Sequence, residues 1–175
     1  PRFMGAKKMS LHQTGFQEVL ALAISSEEDD ARIYRSFAER LRADFPASAS
    51  VFDGMAAEED GHRQRLIDLH RARFGEVIPL IRREHVAGFY ARRPVWLSHS
   101  LSLETMRGEA AAMEKTAHDF YLRAAARTQD AATRKLLGDL AAAEAGHERH
   151  AQQLEETHLS PDARDAEDQT AKRQF

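Results

Sequence analysis

The chain has 175 residues, of which 42% are apolar and 30% charged, with a formal net charge of −3 and no cysteine. That size and mixture suit one soluble globular domain with a substantial core, and the charge gives no basic footprint for nucleic acid. Without thiols there is no disulfide, no thiolate nucleophile and no iron–sulfur cluster, so any bound metal must be held by carboxylate and imidazole.

Only 9 glycines and 5 prolines punctuate the sequence, which favours long helices over a many-turned β architecture. The longest uncharged run, residues 94–103, is about ten residues and too short to span a bilayer. Arg2, Lys7 and Lys8 near the start are not followed by the apolar core of a secretory signal, so a cytoplasmic location is expected. The chain begins at Pro1 rather than Met and is treated as a piece whose ends need not be native.

Residues 1–15 read as a loose lead-in. From Phe16 a helical stripe runs through Leu20, Ala23, Glu27, Asp30, Tyr34, Phe37 and Leu41, and Phe45 with Pro46 should stop it. Ser48 or Ser50 is expected to cap a second helix over 49–74, whose seam is Phe52, Met55, Glu59, His62, Leu66 and Leu69; Gly75 should end it. Acidic residues and a histidine therefore occupy positions that face the core.

Between residues 75 and 102 the periodicity fails. Ile78, Ile81, Phe89, Tyr90 and Trp96 make this a long crossover too apolar for a bare loop, with a short helix expected around 80–91. Its arginines, Arg82, Arg83, Arg92 and Arg93, read as a solvated rim rather than an anion site. A third helix over 103–127 carries Leu103, Ala110, Glu114, Ala117, Tyr121 and Ala124. A fourth over 130–157 carries Thr133, Leu137, Leu140, Glu144, His147, Ala151 and Leu154. Residues 159–175 are polar and read as a tail or linker.

The two halves repeat. Laying Glu27 on Glu114 also lays Tyr34 on Tyr121, and laying Glu59 on Glu144 superposes MAAEEDGH (55–62) on LAAAEAGH (140–147). The lone Glu precedes the paired Glu by 59 − 27 = 32 residues in one half and 144 − 114 = 30 in the other. The chain is thus predicted to be all-α: two helical hairpins, joined by the crossover, packed face to face as a four-helix bundle over 16–158.

Face-to-face packing brings Glu27, Glu59, His62, Glu114, Glu144 and His147 to one level. Four carboxylates in an apolar interior resist ionisation unless cations neutralise them, and two divalent ions would balance their charge. A metal-free alternative, two salt-bridged clusters, would need cationic partners that the seams lack. Oxygen ligands with two imidazoles suit Fe(II) or Mn(II). Asp30 and His118, one turn beyond Glu27 and Glu114, are candidate extra ligands. Tyr34 and Tyr121 are either core aromatics or partners that hydrogen-bond a ligand carboxylate or donate one electron. Glu28 and Glu58 should point off the seam. Glu155 with His158 lacks an upstream partner and reads as coincidence, and His12, His70, His85, His99 and His150 read as surface or structural residues.

Two lone-Glu helices and two Glu-x-x-His helices resemble the ferritin-like di-iron carboxylate superfamily over about residues 16 to 157. Within it the chain looks most like the rubrerythrin branch, and in particular like the N-terminal ferritin-like domain of bacterial membrane-bound ferritins. The stretches 27–34 (EEDDARIY), 74–83 (FGEVIPLIRR) and 94–97 (PVWL) carry that similarity. The resemblance implies two iron ions per chain, Glu27 with His62 as terminal ligands of one, Glu114 with His147 of the other, and Glu59 and Glu144 as bridges. It departs at Ala117, where rubrerythrins carry a further Glu.

The resemblance implies capture of Fe(II) and its oxidation by dioxygen or hydrogen peroxide, in the service of iron homeostasis, iron transport and stress resistance. Alternatives are a non-catalytic iron sensor or carrier module gating an attached iron transporter, and a rubrerythrin-type peroxidase supplied by an external electron donor. The family also implies a membrane iron-transporter domain beyond the C-terminus, anchored in the inner membrane with this part on the cytoplasmic side, and a homodimer. Phe89, Tyr90 and Trp96 either line that dimer interface or fold back along their own bundle.

Overall fold

The computed structural model describes the backbone of residues 9–10, 15–87 and 102–158, and the side chains of 15–84 and 102–147. Four long helices dominate it: α1 (Phe16–Leu41), α2 (Pro46–Phe74), α3 (Leu103–Ala126) and α4 (Ala131–His158). Each boundary lies within about three residues of its sequence expectation, and the local chemistry accounts for the differences.

Helix α2 starts earlier than expected. Pro46 occupies its first turn, where the fixed φ suits a helix and the missing N–H costs nothing. Phe45 stands at the N-cap without a side-chain cap, so Ser48 and Ser50 lie inside the helix and do not cap it. At the other end Gly75 closes α2 with φ of 86°, a conformation that glycine adopts without Cβ strain, and its N–H donates to the Arg71 carbonyl. The second hairpin is capped by side chains. Ser102 Oγ accepts from the Thr105 N–H at 3.0 Å, and Asp130 accepts from the Thr133 N–H at 2.9 Å.

The short turns 42–45 and 127–130 force antiparallel pairing of α1 with α2 and of α3 with α4. The hairpins then meet with α1 against α3 and α2 against α4. Two apolar layers result. One gathers Leu20, Leu66, Phe120, Leu137 and Leu140; the other gathers Phe37, Phe45, Phe52, Met106 and Met113. Phe52 stacks on Tyr34 at 6.1 Å and meets the edge of Phe37 at 5.4 Å. Burying each such side chain contributes roughly 1.5–3 kcal/mol, and the polar residues of the seams are held between the layers.

The crossover departs from expectation. In its described part, up to residue 87, the expected helix around 80–91 is replaced by a 3₁₀ turn, Arg83–His85, and then a two-residue strand β2 (Val86–Ala87), which pairs in parallel with β1 (Met9–Ser10) of the lead-in. The preceding segment is held open by its partners: Ser25 donates to the Ile81 carbonyl at 2.5 Å, and Ile78 and Ile81 pack on the first apolar layer. Arg83, expected on a solvated rim, is buried and donates to Asp30 at 2.7 Å. Arg92 and Arg93, Phe89, Tyr90 and Trp96, and the tail lie outside the described residues. Among the described residues no helix is long and apolar enough to cross a membrane.

Candidate metal centre

Glu27 and Glu114 come from the middles of α1 and α3, and the pairs Glu59 with His62 and Glu144 with His147 from α2 and α4. A three-residue step on a helix returns a side chain to nearly the same face, so each pair presents both groups inward together. All six are buried, and they fall into two groups whose ligand atoms lie within 4.8 Å of one another. One group is Glu27, Glu59, His62 and Glu144; the other is Glu59, Glu114, Glu144 and His147.

Glu59 and Glu144 belong to both groups, and the atoms show how. His62 Nδ1 lies 3.2 Å from Glu144 Oε1 and 3.7 Å from Glu59 Oε2. His147 Nδ1 lies 3.7 Å from Glu144 Oε2 and 3.4 Å from Glu59 Oε1. Each of these carboxylates thus turns one oxygen to each imidazole. Glu27 and Glu114 stand at the outer sides, 3.8 Å from His62 Nδ1 and 3.1 Å from His147 Nδ1. The two rings stack nearly parallel, with centroids 5.6 Å apart.

Burial pushes Glu59 and Glu144 well above the usual carboxylate range, and neighbouring Glu27 and Glu114 add to it. Burial also raises Glu27, but contacts with Glu59, His62 and Tyr121 outweigh it and leave it lowered. His62 would be depressed by burial, yet Glu144 and Glu27 hold its proton so firmly that it titrates at about 10.

Glu27 Oε2 and both oxygens of Glu59 are buried without a hydrogen-bond partner. An orphaned carboxylate oxygen in an apolar interior costs free energy, and several of them converging with imidazole nitrogens suit a pair of divalent cations. The donor set therefore fits metal.

The tyrosines reach across the hairpins. Tyr34 on α1 donates to Glu114 at 2.5 Å, and Tyr121 on α3 donates to Glu27. Burial and the adjacent carboxylates raise both phenols well above their ordinary value, so they remain neutral donors. The other candidates are placed differently. Asp30 faces Arg83 rather than either group, and His118 Nδ1 bonds the Ala141 carbonyl at 2.7 Å. Ala117 packs on the first apolar layer. His70 is structural, fully buried against the Gly75 carbonyl and Gln17.

Two partners were not expected from the sequence. Glu58, adjacent to the seam and half-exposed, reaches His147 Nε2 on α4. A helical wheel puts it off the seam, and only the neighbouring position of α4 makes it a contact. Arg83 could have been found only from the acidic pair Asp29–Asp30, which lacks cationic neighbours on the seam of α1.

A model described as rubrerythrin matches residues 18–155. The chain belongs to the rubrerythrin family. Its curated relatives match only in short stretches: 96% identity over 23 residues with the hydrogenase expression/formation protein HupD of Thiocapsa roseopersicina, 13% of this chain and 10% of that protein. HoxM of Azotobacter vinelandii is 85% identical over 26 residues, 15% of this chain and 13% of that protein. The chain thus spans about a tenth of the length of these relatives, too little to carry their role to a rubrerythrin-family bundle. No solved structure matches the chain.

Proposed function

We propose that this rubrerythrin-family chain binds two iron ions and oxidises Fe(II) with dioxygen or hydrogen peroxide. The observation that carries the proposal is the sharing of Glu59 and Glu144 between the two groups, one oxygen turned to each side. In this reading Glu27 and His62 would hold one metal ion, Glu114 and His147 the other, and Glu59 and Glu144 would serve both.

When bound, the iron pair supplies two one-electron steps to a single acceptor. The chain does the rest. Tyr34 and Tyr121 orient the terminal carboxylates, the two apolar layers exclude bulk water, and the buried carboxylates favour the higher charge of the oxidised ions. Hard oxygen ligands favour iron or manganese over copper. The domain boundaries at 16–158 and a homodimer belong to the same proposal. Val77 and Leu80 of the crossover, 83% and 73% exposed, supply apolar surface for a partner.

Iron oxidation followed at stoichiometric and then excess Fe(II) tests the proposal. Two metals per chain and repeated turnover are expected. Two metals with a single saturating event would instead favour a carrier or sensor feeding a transporter, and fewer than two would overturn the shared-ligand assignment.

A further inference from the structure

One of the positions at which the repeat differs lies beside the centre and touches it. Because Glu59 and Glu144 correspond, Glu58 corresponds to Ala143. The Glu58 carboxylate lies against Nε2 of His147, a buried nitrogen that makes no hydrogen bond of its own. Ala143 has no acceptor to offer. The Nδ1 atom of the same ring faces Glu114, Glu59 and Glu144.

We propose that Glu58 is a positioning residue that fixes His147 with its proton on Nε2 and its Nδ1 lone pair aimed into the centre, and that by acting on one side only it makes the two metal positions unequal. The proposal rests on the metal reading given above. An imidazole whose outer N–H meets a carboxylate is locked in tautomer and rotation, and it is the more basic ligand through its other nitrogen. Glu58 has a half-exposed side chain (53%), so it performs this from the bundle surface, crossing from the first hairpin to a histidine of the second.

The test uses Zn(II), which is diamagnetic, with the full chain and its Glu58→Ala and Glu58→Gln variants. Calorimetric titration gives the two affinities, and long-range proton–nitrogen spectra of the histidine rings report which nitrogen is metallated and whether the other holds a protected proton. Wild type should bind in two unequal steps, with a solvent-protected Nε2–H on His147. In Glu58→Ala that proton should exchange freely and one step should weaken about 10- to 100-fold, with helicity and the His62 resonances unchanged. Glu58→Gln keeps an acceptor oxygen and should fall between them.

Equal steps in wild type, or a Glu58→Ala protein with unchanged affinities and a still-protected Nε2–H, would overturn the proposal while leaving the metal centre standing. If zinc moves neither ring's Nδ1 resonance, the metal centre itself fails and the role of Glu58 fails with it.

Discussion

Tyr34 on the first helix donates a 2.5 Å hydrogen bond to Glu114 on the third, and its repeat partner Tyr121 on the third donates to Glu27 on the first. Each hairpin therefore supplies the phenol that satisfies the other hairpin's lone glutamate. Removing one such hydroxyl leaves a buried carboxylate oxygen short of a donor. Tyr34→Phe should lower the unfolding free energy by about 1–3 kcal/mol, measured by urea denaturation. An unchanged midpoint would show that the bond does not restrain Glu114.

Glu144 is one of the two carboxylates common to both groups, so its loss should disturb both metal positions at once. Glu144→Ala should retain its helicity, because it removes a buried carboxylate whose ionised form burial disfavours. Metal analysis of the purified variant should give fewer than two ions per chain. Two ions bound at wild-type affinity would rule out bridging by Glu144.

Metal loading should release protons. Glu59 and Glu144 are raised by burial, and His62 stays protonated up to about 10, so at neutral pH the metal-free centre holds protons that cations must displace. Since protons are products of binding, affinity should rise with pH, by about tenfold per unit for each proton released. Calorimetry in two buffers of different ionisation enthalpy counts them, and a heat independent of buffer would contradict the expected displacement.

Asp30 provides a separate pH signature. Burial raises its carboxyl from 3.8 to about 7, with Arg83 opposing and Glu27 reinforcing the rise. Over this interval the unfolded chain has lost the proton and the folded chain keeps it, so stability is full below 3.8 and falls as pH rises through about 7. In metal-free Asp30→Asn this contribution is absent. The stability difference between the two proteins should change by up to about 4 kcal/mol from pH 4 to 8, at roughly 1.4 kcal/mol per pH unit. Parallel pH profiles would show that Asp30 is ionised throughout.

Metal should also stabilise the fold, because a ligand that binds only the native state shifts unfolding by mass action. Fe(II) under anaerobic conditions, or Mn(II), should raise the melting temperature of wild type and raise it less in Glu144→Ala. A wild-type transition unmoved by either ion would argue against a metal centre.

The bundle and its central cluster were legible because both arise from periodicity. A carboxylate or histidine on an apolar stripe of period 3.6 is a strong local signal, and the repeat doubled it for Glu27, Glu59 and His62. The start of α2 was misplaced because two helix-start signals competed, and the proline prevailed over the serines. The crossover was misread as partly helical because its conformation is set by distant partners, Ser25 and Asp30, which no local pattern reveals. For the same reason Asp30 looked like a ligand on its stripe, while the buried cation that answers it lay 53 residues away.

Neither hairpin owns a complete group. The first contributes Glu27, Glu59 and His62 and borrows Glu144; the second contributes Glu114, Glu144 and His147 and borrows Glu59. A chain cut within the crossover would leave two fragments, each with three of the four donors of one group and an apolar face in need of cover. Such halves are complementary in chemistry as well as in shape, and a divalent ion that rejoined them would act as the clasp of a reassembled molecule, so that fragment association would depend on metal concentration as directly as on protein concentration.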